Sequence, residues 1–433
     1  MTRKLLNAQP QPERTSKEDR GANDRKEPAA KFSTRRGSRS LLRDLNVSLL
    51  IELVRRAGTI SRADLARQSS LSAPTVSTIV ENLLGRGILN EVSMAPSSGG
   101  RPPVLLSIDP KAGYVIGIKL RAEGVTTVVC DLDAQVVAAS EASESLVGNP
   151  EAAILAIERE TRRVMRKAAV PPSKVLGVGI GLPGIIETDR GVCNYSHLLW
   201  WRDVDIAGPL RKKLGMPVWV DNDVNTLAVA EKWSGDASDA RDFVTLSVGR
   251  GIGLGIMIDR SLYRGANGAA GEFGHIVIEP GGPKCECGKS GCLEAIVGEK
   301  ALRQTIGERL GRDVTRAVLI ELLQGGDTVT LEVVESAGRR LGTAVANMMT
   351  LLNPELLIIC GEGTELGPTF LDPIIAAVRE QTFGDLGRKA EVKVQRWGDE
   401  VWAVGAATLV LRESFSLPSA DEKSHAIWNR VDA

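Results

Sequence analysis

The stretch GEFGHIVIEPGGPKCECGKSGCLE, Gly271 to Glu294, gathers donor atoms that are scarce elsewhere in the chain. It holds three of the six cysteines and one of the three histidines in 433 residues. Cys285, Cys287 and Cys292 offer three thiolates and His275 an imidazole. Four N/S ligands are what tetrahedral Zn²⁺ takes when its role is structural. Gly281, Gly282, Gly288 and Gly291 allow a backbone to wrap that tightly. The C-x-C pair is closer than the common C-x2-C, so free thiols or a redox pair stand as alternatives. A redox pair, however, needs neither the histidine nor the glycines. Cys130, Cys193 and Cys360 sit alone in apolar stretches, the pattern of reduced intracellular thiols.

The elements that carry this loop have an α/β texture from Lys111 onward. GYVIGIKLRAEGVTTVVCDLDAQVVA reads as two or three strands joined by turns. EAAILAIERETRRVMRKAAV reads as a helix and VLGVGIGLP as a strand. PVWVDNDVNTLAVAEKW reads as a strand running into a helix. DFVTLSVGRGIGLGIMIDRSLYRG is again strand, Gly turn, strand. Segments 113–138 and 242–263 therefore resemble two copies of one β-hairpin unit, which predicts two related lobes.

The front of the chain is different. Residues 1–110 carry 18 Lys/Arg against 11 Asp/Glu, and residues 111–433 carry 36 against 43. Zero net charge thus hides a basic front, suited to an anionic partner, and an acidic back. Residues 1–40 are polar and aperiodic and read as a disordered basic tail. Leu49, Leu50, Leu53 and Val54 recur at helical spacing up to Gly58. Ser61 and Asp64 form a capping box for SRADLARQSS, which buries Leu65 and Ala66. Pro74 suits the first turn of a third helix with apolar face Val76, Ile79, Val80, Leu83 and Leu84, ended by Gly85 and Gly87. Three short helices with a tight turn between the last two make a helix-turn-helix. Ile88-Leu89 and Val104–Ile108 flank a Gly/Pro/Ser tip bearing Arg101, the pattern of a β-hairpin wing. Ser72, Thr75, Ser77, Thr78 and Asn82, together with Arg101, are then the expected contacts to double-stranded DNA.

Several stretches in order resemble the ROK family of repressors and sugar kinases. They include the Gly271–Glu294 stretch, VGIGLPGIIE, NYSHLLWWRDVDIAGPL, PVWVDNDVNTLAVAEKW, YRGANGAAGEFGH and LLNPELLIICGEG. The likeness runs from Leu41 to about Glu413, and the winged helix-turn-helix with its GGRPP tip is similar to that of the repressor branch. The resemblance implies an α/β actin-like (ribonuclease H-like) two-lobed body with a sugar in the cleft. It implies a structural zinc on His275, Cys285, Cys287 and Cys292. It implies sugar contacts from Asn222, Asp223, Glu272, His275 and Glu294. Paired carboxylates and an amide suit vicinal hydroxyls. His275, using one ring nitrogen for the metal and one for a hydroxyl, makes the zinc loop a brace for the sugar site.

In the kinases of that family, the residue matching Asp223 is the base, and an Asp-x-Gly-Gly-Thr turn cradles phosphate. This chain reads GIKLRAEGVTT at that turn. Lys119 stands at the Asp position and bulky residues follow it. Arg250 replaces a common Thr in the second turn, SVGRGIGLG. Asp223 is thus a vestigial base position, and ATP is not expected. The expectation is a non-enzymatic, sugar-responsive repressor of carbohydrate uptake or metabolism genes. It would bind operator DNA through residues 41–110 and a sugar or sugar phosphate through residues 111–416, with 417–433 a loose tail. An active kinase with a DNA-binding head is the alternative. A dimer or tetramer is expected, since such heads read half-sites about one helical turn apart. No apolar run approaches the ~20 residues that span a bilayer, and no apolar signal core opens the chain, so a cytoplasmic location is expected.

Overall fold

Local signals set the head. In the computed structural model, which describes residues 39–94, 104–396 and 398–415, helix α1 (Arg39–Ala57) stops at Gly58, whose φ is +66°. It begins two residues before the expected Leu41, within the usual fraying of a helix end. Ser61 caps α2 (Arg62–Ser69), accepting the Asp64 N–H while its hydroxyl donates to the Asp64 carboxylate. Ser72 caps α3 (Ala73–Gly85) through the Thr75 N–H. Val76, Ile79, Val80 and Leu83 of α3 are buried against Leu50, Val54 and Leu65. Leu89–Met94 and Val104–Ile108 pair antiparallel as the wing, and Ile60–Ser61 adds a short third strand that the sequence did not announce. The wing tip with Arg101, the tail before residue 39 and the segment after residue 415 lie outside the described residues.

The body repeats one topology twice. In the first lobe, strands Tyr114–Arg121, Gly124–Asp131 and Val136–Ser143 form an antiparallel meander. Val175–Leu182 and Val218–Asn222 then add in parallel beside the first of them. In the second lobe, Phe243–Val248, Ile252–Ile258 and Ser261–Leu262 form the meander, and Leu356–Cys360 and Glu391–Val394 add in parallel. The two-hairpin likeness read from sequence is therefore part of a five-strand repeat. A separate three-stranded sheet of Ile185–Glu187, Val192–Ser196 and Trp201–Asp205 is inserted in the first lobe.

Two helices knit these parts together. The C-terminal helix Asp399–Phe415 returns to pack on the first-lobe sheet. Its backbone comes so near that a Cβ on Gly117 or Gly179 would lie under 2 Å from the Ala403 or Ala406 carbonyl. The helix Asp223–Ser234 packs on that helix and on the second-lobe strands, so it lies between the lobes. One apolar cluster runs from Leu50, Ile51 and Val54 of the head into Val128, Ala407 and Phe415 of the first lobe. The head therefore shares a core with the body, whereas the sequence divides them into consecutive units. Among the described residues, no helix is long and apolar enough to cross a membrane.

Candidate ligand cleft and metal site

The cleft residues converge because helix Asp223–Ser234 begins there. Asn222 is its N-cap: its Oδ1 accepts the Val224 and Asn225 N–H groups, and its Nδ2 donates to the Gly184 carbonyl. Much of the Asn222 amide is thus committed to holding the helix, which leaves one amide hydrogen for a ligand. Asp223, acidic at the helix N-terminus, faces a cavity of about 460 Å³ between the lobes. That volume falls in the range of small-molecule sites, roughly 300–1,000 Å³. Glu272, His275 and Glu294 line the same cavity. The loop can reach it because Gly271, at φ +91°, lies against the second-lobe strand, where a Cβ would be 1.9 Å from the Leu254 carbonyl.

Three carboxyls share this space. Burial pushes Glu272 up to about 7, and the neighbouring Asp223 and Glu294 add to the rise. Burial also raises Glu294, although its Oε2 accepts the Ile252 N–H at 3.0 Å. A buried carboxyl that keeps its proton donates to a sugar oxygen, and an ionised one accepts from a hydroxyl, so the group serves both polarities.

Asp223 is occupied. Lys119 forms an ion pair with its Oδ2, and the Lys119 ammonium lies 4.1 Å from the centre of the Trp402 ring. The side chains of Lys119 and Asp223 are only 12% and 13% exposed. The second Gly turn, residues 249–251, is a three-residue loop between paired strands, and its Arg250 N–H is taken by the Glu362 carboxylate. Arg250 itself reaches across the cleft mouth to Glu123. Charged side chains of the protein itself thus occupy both turns.

The four candidate metal ligands also meet. His275, Cys285, Cys287 and Cys292 place one ligand atom each within 4.8 Å of one another. His275 Nδ1 lies 3.6 Å from Cys285 Sγ, and Cys287 Sγ lies 3.7 Å from Cys292 Sγ. A tetrahedral Zn²⁺ with bonds of ~2.3 Å to sulfur sets its sulfurs about 3.8 Å apart, so the four atoms fit that ion. Burial pushes the Cys285 thiol up to about 12, and adjacent thiols contribute. A dication among the three sulfurs would reverse this. The other ring nitrogen, His275 Nε2, lies 3.9 Å from the Glu272 carboxylate, on the cleft side.

The structure adds groups the sequence reading missed. His197, from the turn between the last two strands of the inserted sheet, sets its ring edge-on to His275 at 5.1 Å and lines the cleft. Trp402 comes from the last helix. Asp221 is buried, accepts Arg264 at 2.6 and 2.9 Å, and braces Asn222 and Asn225. Only the DND run hinted at Asp221; nothing local pointed to the others. On α3, Ser72, Thr78 and Asn82 are exposed and Thr75 and Ser77 half-buried. Ser72 and Thr75 share a hydroxyl hydrogen bond of 2.8 Å, and Thr78 donates to the Pro74 carbonyl. Those three hydroxyls are therefore already partnered, and Asn82 is the freer group on this face.

A winged helix carried on a duplicated actin-like body, with a polar interlobe cleft braced by a Cys/His cluster, defines the class. The ROK family's sequence profile matches residues 115–413, and this chain belongs to the ROK family. It is 29% identical over 395 residues to the xylose repressor of Caldicellulosiruptor bescii, covering 88% of this chain and 99% of that one. It is 30% identical over 388 residues to the DNA-binding transcriptional dual regulator NagC of Escherichia coli, covering 87% and 94%. Among solved structures, a ROK family transcriptional regulator described as a homologue of the E. coli MLC protein matches in fold. Its TM-score is 0.78 at 23% identity, over 90% of this chain and 99% of that one. A ROK family glucokinase from Streptomyces griseus, in complex with glucose and AMPPNP, matches with a TM-score of 0.61 at 26% identity. It covers 69% of this chain and 99% of its own.

Proposed function

We propose that this protein is a sugar-responsive transcriptional repressor of carbohydrate uptake or metabolism genes and has no kinase activity. The winged helix binds operator DNA. The cleft binds a sugar or sugar phosphate through Asn222, Asp223, Glu272, His275 and Glu294, and a Zn²⁺ on His275, Cys285, Cys287 and Cys292 holds the cleft loop. Residues 41–110 act as the DNA-reading unit and residues 111–416 as the sensor, in a dimer or larger assembly. The observation that carries the reading is the Lys119–Asp223 pair. It blocks the base position with a cation, yet leaves a polar cleft in a chain that also bears a winged helix. The repressor names of the relatives point the same way.

Sugar binding lowers operator affinity if the closed cleft prefers a different setting of the two heads. The test uses a duplex selected from a random pool by the full-length protein. D-xylose, glucose, N-acetylglucosamine and the phosphates of the latter two are titrated against the complex. One of them releases the duplex and raises thermal stability, by about 2.7 kcal/mol at 100 times its Kd. No release by any of them would remove the effector role.

On the DNA side, Asn82→Ala and Arg101→Ala are each expected to weaken operator binding by about 1–3 kcal/mol if their contacts are to base edges. Fluorescence anisotropy reads this. Unchanged affinity in both moves the reading surface off α3 and the wing.

A further inference from the structure

We propose that Arg55 and Trp233 are the positioning pair through which the state of the cleft reaches the DNA-reading head. The proposal rests on the sugar-responsive repressor reading and names how that response is carried.

Two helices run from the cleft to the head. The helix Asp223–Ser234 begins at the Asp223–Lys119 ion pair and ends its last turn with Trp233. At 1.5 Å per residue, Asp223 and Trp233 are separated by about 15 Å along its axis. The C-terminal helix carries Trp402 under the Lys119 ammonium near its start and Phe415 at its end. At the head end, Trp233 and Phe415 pack with ring centres 5.4 Å apart. The two helices are thus joined at both ends. Lys119 links them at the cleft, and an aromatic pair links them at the head.

Arg55 of α1 fastens this end to the head. Its guanidinium lies 4.2 Å from the Trp233 ring centre and donates to the Trp233 carbonyl at 3.2 Å. That carbonyl is one of the last, unpaired acceptors of its helix, where a cation is favoured. Glu52 holds the guanidinium with both oxygens, at 2.7 and 2.9 Å. Arg55 therefore has one orientation, fixed by its own helix and read against another.

The helix between the two ends has little room to absorb a shift. A Cβ on Gly253 would fall 2.6 Å from Val224, and one on Gly255 would fall 2.8 Å from Ala228. Against the C-terminal helix the fit is less tight, with a Cβ on Gly405 falling 3.2 Å from Thr226. A helix packed this closely moves as a unit rather than deforming. Without sugar, Asp223 Oδ2 accepts from Lys119. A sugar hydroxyl competes for that oxygen, so the ligand has different interactions with the two settings of the helix N-terminus. That difference is what any population shift needs. The move is delivered at Trp233 and passed to α1 by Arg55.

The experiment compares wild type with Arg55→Met, which keeps the side-chain length and loses the stack, the Glu52 pair and the carbonyl bond. Sugar affinity is measured by calorimetry and operator affinity with and without saturating sugar, using the sugar from the panel that releases wild-type DNA. Expected are sugar affinity and sugar-free operator affinity within threefold of wild type. The sugar-induced change in operator affinity falls at least tenfold. Loss of packing alone would lower stability without changing that ratio. Arg55→Lys retains the charge and serves where the methionine variant does not fold; it restores part of the ratio. A full wild-type ratio in the folded variants overturns the coupling role and leaves the repressor reading intact. A wild type whose operator binding ignores every sugar overturns both.

Discussion

Asp223→Ala is expected to abolish the response of operator binding to sugar. The carboxylate is the group of the cleft with the most to lose. It sits at a helix N-terminus, is 9% exposed, and holds Lys119 by an ion pair. A hydrogen bond to a charged group contributes about 1.5–3 kcal/mol, so loss of the hydroxyl contact alone weakens sugar binding by roughly 10–100-fold. Removal also leaves the largely buried Lys119 ammonium with the Trp402 ring and no carboxylate. Breaking such a pair costs more than the pair contributes, which lowers stability as well. Asp223→Asn separates the two effects, since it keeps the shape and removes the charge. Operator titrations with and without the sugar panel give the first readout. Transfer of labelled phosphate from ATP to the same sugars gives the second, and none is expected. Turnover that disappears in Asp223→Ala would establish the kinase alternative, because it would require Lys119 to leave and phosphate to enter a turn now closed by Glu362.

The second large effect concerns the metal. Elemental analysis of the wild type is expected to give about one zinc per chain, and Cys287→Ser none. The loop between Gly271 and Glu294 has few apolar anchors: Phe273, Cys285, Cys292 and Leu293 are its buried hydrophobic residues. Its shape is held by turn hydrogen bonds such as Cys285 N–H to the Lys289 carbonyl. Without the ion, three thiols and an imidazole lose the centre that gathers them. His275, which reaches Glu272 on its other side, loses its orientation too. Loss of an orienting partner at a metal site costs about 10–100-fold in affinity, and sugar binding is expected to fall by a similar factor, with a lower melting temperature. Metal-free protein with an undiminished sugar response would show that the loop holds itself.

Both effects depend on groups that differ in how far the sequence exposes them. The Cys/His cluster, the Ser61 cap, the α3 apolar face and the wing strands were all legible. Each is specified by residues within about twenty positions of one another, and hydrogen-bond geometry and helical or strand period act over that range. The two matching hairpins were legible for the same reason. The parallel strands that complete each sheet were not placed, because their order depends on what the intervening helices pack against. Lys119 and Asp223 are 104 residues apart, and Arg55 and the Trp233 carbonyl 178. The sequence marked Lys119 as standing where the first phosphate turn would carry an Asp; the structure makes it the counter-ion of Asp223. Trp402 and Phe415 carried no local signal at all, since an aromatic residue in an apolar helix reads as core wherever it goes. What the sequence by itself determined was the set of local units and the donor atoms each one carries. Which units touch, and so which charge sits beside which carboxylate, was decided by close packing of whole helices and sheets, where a glycine in one strand sets how near a helix a hundred or more residues away can come.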